Sequence, residues 1–203
     1  MAFQGSRLIA SLLIFLTGPF TLGGCTWTSH EANLLVDQPA VSRNIAHGTE
    51  VFLNVIDDRD EATLGNRGVG RIGAKVTAQD PVGLVERVVR TGLIDKGYVL
   101  VADQGSTDKK ILVRVRSISF HHEEGFFTGS ENTNVVIVAE ARNGPQDFTR
   151  TYRYSNEDKA MFVAGGGEID EHLNHGLTKV LAEFLNDGEL DRFLMLSPSQ
   201  ASQ

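Results

Sequence analysis

The stretch VVIVAEARNGPQDFTRTYRY, residues 135–154, decides the fold. Residues 135–142 and 148–154 read as two strands, and Asn143-Gly144 followed by Pro145 marks a turn between them. An Asn-Gly pair favours the tight turn that joins antiparallel neighbours, so the two runs pair as a hairpin. Upstream, Ile111, Val113 and Val115 alternate with Leu112, Arg114 and Arg116, the period-2 pattern of a strand with one partly wet face. These three strands form an antiparallel meander with one apolar face to cover.

Two helices are available to cover it. Asp80 is placed as an N-cap and Pro81 as the first helical residue. Val82, Val85, Val88, Val89 and Leu93 follow at helical spacing, and Gly97 stops the helix. Gly83 and Gly92 weaken it and fall where close packing wants small residues. A second helix runs over about residues 168–186, with Ile169, Leu173, Leu177, Val180, Leu181, Phe184 and Leu185 on one stripe. A short helix over 189–194 closes the domain. The opening run Val51-Phe52-Leu53-Asn54-Val55 reads as a buried strand, and residues 98–102 as a short one. The order β-α-β-β-β-β-α predicts an α+β fold: a two-layer sandwich with a mostly antiparallel sheet and two amphipathic helices packed on one face.

The N-terminus carries a different message. Arg7 precedes the apolar run LIASLLIFL, residues 8–16, which ends at Thr17-Gly18-Pro19 and leads to Leu22-Gly23-Gly24-Cys25. A positive start, a short apolar segment and small residues at the cut define a secretory signal, and the run is too short to span a bilayer. Leu22, Gly23, Gly24 and Cys25 resemble the cleavage box of bacterial lipoproteins. That resemblance implies removal of residues 1–24 and acylation of Cys25 on its sulfur and its amine, a membrane anchor by covalent lipid. Cys25 is the chain's one cysteine, so no internal disulfide can form. Thr26 stands where Gram-negative lipoproteins kept in the inner membrane usually place aspartate, so the same resemblance implies the outer membrane, with the domain facing the periplasm.

Polar residues 26–48, with Pro39, Ser42 and Asn44, read as a tether in which residues 34–36 dock locally. The expected layout is a signal peptide over 1–24, lipidated Cys25 and tether over 25–48, one domain over 49–196, and a disordered tail over 197–203. Loss of Arg7 with the signal takes the formal charge from −7 to −8. Phosphates repel such a domain, which argues against nucleic acid as a partner.

No reaction chemistry emerges. His121-His122-Glu123-Glu124 and the helical pair His172 and His175 are the nearest approach to a metal set, but nothing in sequence brings them together, and no metal or cofactor is expected. The glycine-rich LGNRGVGRIG, residues 64–73, is followed by a helix only near Pro81 and lacks Gly-Lys-Ser/Thr, so a mobile or hairpin loop is the expectation. Gly165-Gly166-Gly167 opens a helix, but Glu168, Asp170 and Glu171 would repel an anion there. Asp57 and Asp58 adjoin and so point apart, which suits a turn. The HHEEGFFTGSENT segment between strands is too long for a tight hairpin. It carries Phe126 and Phe127 between glycines, a candidate partner contact or a pair of rings that fold back over the sheet edge to complete the core.

The order of elements, joined to the Cys25 box, resembles the YajG-like family of uncharacterised bacterial lipoproteins. The resemblance rests on Val55-Ile56-Asp57-Asp58-Arg59 with Leu64-Gly65, on Gly97-Tyr98, on Asn143-Gly144 before residues 148–152, and on the closing helix with residues 190–194. It implies an address and a fold, and no reaction. Two function classes stand. One is a non-enzymatic module that binds an envelope protein or peptidoglycan. The other is an envelope hydrolase, acting on cell wall or lipid, with a dispersed active site.

Overall fold

The computed structural model describes residues 28–68, 73–123, 129–160 and 164–197. Its strands are β1 (His30–Glu31), β2 (Glu50–Asp57), β3 (Gly65–Arg67), β4 (Ala74–Thr77), β5 (Val99–Val101), β6 (Lys109–Glu123), β7 (Gly129–Asn143) and β8 (Gln146–Ala160). Its helices are α1 (Pro81–Asp95), α2 (Gly166–Leu185) and α3 (Gly188–Met195).

The expected hairpin forms. β7 pairs antiparallel with β8 from Asn143↔Gln146 outward, and β6 pairs antiparallel with β7. Gly144 at the turn has φ of 60°, the left-handed backbone that glycine adopts freely. Each of the three strands is 15 residues long, well beyond its apolar run. Ile111, Val113 and Val115 face inward, then a register shift between Val115 and Ser117 leaves Arg116 bulged outward. The bulge reverses the alternation, so Ile118 and Phe120 return to the same buried face. A single apolar side is thereby kept along a strand that would otherwise turn its later residues to water.

The sheet is mixed rather than mostly antiparallel. Among the described residues β2 runs parallel to both β5 and β6, β3 runs parallel to β6, and β1 runs parallel to β4, while three pairings are antiparallel. α1 carries the chain back between β2 and β5, and such a crossover makes its two strands parallel. β6 is long enough to take two partners on one edge, β2 along residues 110–115 and β3 along 120–121. The expected two-layer sandwich is therefore corrected to an open mixed α/β sheet that forks beyond the bulge. Gly65 sits at the fork with φ of +116°, and a Cβ there would lie 2.1 Å from the Phe120 carbonyl oxygen. Only glycine fits that approach. β3, within the glycine-rich segment, pairs antiparallel with β4 just beyond it.

The helices follow their sequence signals. Asp80 accepts from the Gly83 amide at 2.9 Å, and Gly97, with φ of 89°, closes α1 as the Tyr98 amide reaches the Leu93 carbonyl. The stripe on α2 is buried from Ile169 through Leu185. The two helices meet where Gly92 leaves room for the Leu185 side chain, since a Cβ there would come within 2.5 Å of it. Val85, Val89, Leu93, Leu173, Leu177, Leu181 and Phe184 join Val113, Phe120, Val135 and Ile137 in one core. Each large side chain so buried contributes about 1.5–3 kcal/mol.

The segment expected as a tether is a strap. β1 pairs with β4, and the Ala32 amide reaches the Thr77 carbonyl at 2.7 Å. Asn174 of α2 accepts from the Leu35 amide at 2.8 Å and donates to the Asn33 carbonyl at 3.1 Å. Gln38 donates to the Val88 carbonyl in α1, and Asn186 donates to the Ala40 carbonyl. Farther on, the Ala46 amide reaches the Lys96 carbonyl and the Gly48 amide the Gly97 carbonyl. Leu34 and Val36 pack on the core as expected, while Leu35 between them is 66% exposed. The folded body thus starts near residue 30 rather than 49.

Candidate functional site

Cys25 with Leu22, Gly23 and Gly24, and the pair Phe126 and Phe127, lie outside the described residues. The long loop expected around the two phenylalanines is mostly strand. β6 continues to Glu123 and β7 starts at Gly129, leaving residues 124–128 as the connection. Backbone amides pair whatever the side chains are, so the polar residues there extend the ladder into solvent.

At that same end stand most of the histidines. His30 lies 2.7 Å from Asp170, which also accepts from the Asn33 amide. His122 is turned inward with its Nδ1 3.6 Å from Glu131, whose carboxylate accepts from the Ala164 amide at 2.9 Å. His121, on the opposite face of the strand, is exposed. His172 stacks edge-on to Phe120 and lies near Asp158, while His175 meets Tyr154. The two helical histidines therefore go to different neighbours. Among the described residues no three metal-ligating side chains converge.

The opposite end of α2 carries two polar locks that the sequence reading did not single out. In the first, Lys96 is 2% exposed, with its ammonium 2.5 Å from Asp191 and 2.7 Å from the Leu185 carbonyl. Tyr98 donates to the same Asp191 carboxylate at 3.0 Å. In the second, Asp187 caps α3 by accepting from the Glu189 and Leu190 amides, and takes hydrogen bonds from Tyr152 at 2.6 Å and Arg150 at 2.8 Å. Arg150 also pairs with Glu189. Burial, then the neighbouring aspartate, pushes the Tyr98 hydroxyl far above its ordinary value. Burial and the bond to Asp187 do the same for Tyr152. Both phenols donate to the aspartate beside them.

Burial opposes the charge on Asp187, but the Tyr152 hydroxyl, the two amides and Arg150 outweigh it and hold its carboxyl below the ordinary 3.8. A depressed folded value means that this carboxylate's contribution is complete above 3.8 and fades as pH falls through the lower folded value. Asp187→Asn should therefore melt earlier than wild type at neutral pH, and the gap between them should narrow in strong acid. A gap independent of pH would contradict the assignment.

Among the described residues are two open clefts, of which only the second borders a lock. One of about 350 Å³ lies between the strap and the start of α1, lined by Glu31, Asn33, Asp80, Leu84 and Arg87. The other, about 510 Å³, runs past Arg150, Tyr152, Asp187, Glu189 and Arg192. In the second, Arg150, Asp187 and Glu189 are spent on one another, and Arg192 donates to the Gly188 carbonyl. Asp57 and Asp58 do point apart: Asp57 is gripped by Arg59 at 2.8 Å, and Asp58 faces Arg114 and Arg116.

The model of a family described as "Uncharacterized lipoprotein" matches residues 37–195. The chain belongs to that family. This lipoprotein is similar to the uncharacterized lipoprotein YajG of Escherichia coli K12, 23% identical over 190 residues, covering 92% of this chain and 97% of YajG. YajG from a second strain, CFT073, matches equally. The YajG-like resemblance seen in the sequence is thus established. In fold, the lipoprotein is similar to a Xanthomonas campestris protein of family DUF330. The TM-score is 0.53 at 12% identity, over 78% of this chain and 93% of that one. That likeness is one of fold alone. No described helix is long and apolar enough to cross a membrane.

Proposed function

We propose that this lipoprotein is a lipid-anchored periplasmic domain of the outer membrane, a non-enzymatic module that holds an envelope protein or peptidoglycan. The observation that carries the anchor is Leu22-Gly23-Gly24-Cys25 directly behind the apolar run of residues 8–16, in a chain whose family is one of lipoproteins. Residues 1–24 are removed, and Cys25 becomes the acylated first residue. Thr26 in place of aspartate supports the outer membrane. The non-enzymatic part of the reading is supported by the polar locks, whose tyrosines, carboxylates and cations are occupied in joining α2 and α3 to the sheet.

Sorting is tested by membrane fractionation. Wild-type protein is expected with the outer membrane and Thr26→Asp with the inner. Wild-type protein found mainly in the inner membrane would overturn the placement.

Phe126 and Phe127, between β6 and β7, are the proposed contact with a partner that is an envelope protein at the membrane surface. Changing both to serine should abolish recovery of crosslinked envelope material while leaving the melting temperature within a few degrees of wild type. Unchanged recovery with a lower melting temperature would assign both rings to the core.

A further inference from the structure

The anchor and the strap together fix which end of the domain meets the membrane. His30 pairs with Val76, Val76 with Gly65, Gly65 with Phe120, Phe120 with Thr133, and Thr133 with Asn156. His30 therefore lies on the same cross-sheet row as Phe120 and Asn156. β1 is parallel to β4, β4 is antiparallel to β3, and β3 is parallel to β6. β1 thus runs opposite to β6, and the chain enters β1 from the side of the end where β6 meets β7.

Lengths decide the rest. Cys25 precedes His30 by five positions, and five extended residues reach at most about 18 Å. From the His30 row, β6 continues three residues to Glu123, about 10 Å in the same direction. That end therefore stands within about 8 Å of the depth of Cys25, the scale of one lipid headgroup layer. The other end, at Gln146, is ten residues from Asn156 along β8, about 33 Å away and out of reach.

Resting on the reading of Cys25 as acylated, we infer that the β6–β7–β8 tip, from His121 to Glu123 and from Glu157 to Lys159, abuts the phospholipid leaflet that holds the acyl chains. The domain stands on that tip with α3 and the two polar locks pointing away. The strap holds the pose, because peeling it would break the Ala32 amide bond to Thr77, the His30–Asp170 pair and the Asn174 bonds, and would expose buried Ala32. The tip is rich in acids (Glu123, Glu157 and Asp158 against Lys159), so attraction to anionic lipid does not bring it there. Tether length does.

The test uses the full acylated protein in vesicles of phosphatidylethanolamine and phosphatidylglycerol carrying a headgroup energy acceptor. Because the Cys25 sulfur is in a thioether, a donor dye attaches only to a new thiol, Lys159→Cys at the tip or Asp147→Cys at the far end. Both positions are exposed, and about 40 Å of strand separates them. Transfer should be several-fold greater from position 159, and Glu157→Cys against Thr149→Cys should repeat the contrast. A long Gly-Ser insertion between Trp27 and Thr28 should erase it. Equal transfer from the two ends of the uninserted protein overturns the inference, as does a contrast that survives the insertion. Protein that carries no acyl group and does not float with the vesicles overturns the Cys25 reading as well.

Discussion

Asp191→Ala will destabilise the folded domain by about 3–5 kcal/mol, the usual consequence of breaking a buried ion pair from one side. The ammonium of Lys96 lies 2.5 Å from Asp191 at 2% exposure. Its other acceptor is one carbonyl, that of Leu185, and Tyr98 would lose its acceptor at the same time. A buried cation without its counter-charge and a buried hydroxyl without an acceptor each carry a desolvation cost that nothing repays. Denaturant unfolding measures the loss. Lys96→Met combined with Asp191→Leu should recover part of it, because an apolar pair leaves no charge stranded. A loss of about 1 kcal/mol or less, the worth of an exposed pair, would show that the lock is open to water.

Cys25→Ser will abolish acylation and signal removal together. The hydroxyl of serine cannot carry the thioether-linked diacylglycerol that marks the chain for cleavage. The variant should persist as an unmodified precursor still bearing residues 1–24, seen as an intact-mass increase from the uncut segment and a complete loss of acyl mass. On the proposed anchor, several acyl chains at about 0.8 kcal/mol per buried methylene would make release negligible, where one chain alone would hold only marginally. A Cys25→Ser protein cut at the same place as wild type would contradict the mechanism.

The parts of the fold that rest on local chemistry were legible in the sequence. Asp80-Pro81 and Gly97 bound α1, the stripe from Ile169 to Leu185 is the buried face of α2, and Asn143-Gly144 is the turn of the hairpin. What escaped has no periodic signature. The strap is held by Gln38, Asn174 and Asn186 donating to or accepting from backbone groups, and such bonds leave a polar segment looking like a linker. β6, β7 and β8 run on through Ser130, Asn132, Asn156 and Asp158, polar residues that resemble a loop. Parallel pairing of β2 with β5 and β6 is set by the path of the chain, through α1 and then through the connection of residues 102–108, not by any residue in those strands.

The proposed anchor box, Leu22 to Cys25, is contiguous in the sequence, whereas the locks are not. Lys96 follows a helix and precedes a glycine, where a lysine normally faces water and the helix dipole. Its burial depends on Asp191, which is far along the chain. Asp187 ahead of Gly188 and Glu189 did offer a signal, that of an N-cap for α3.

Mass spectrometry of the protein extracted from its native membrane tests the central claim most directly. The account predicts a mature chain that begins at Cys25 and carries a diacylglycerol thioether with an acylated amine. An unmodified N-terminus at any other residue would contradict it.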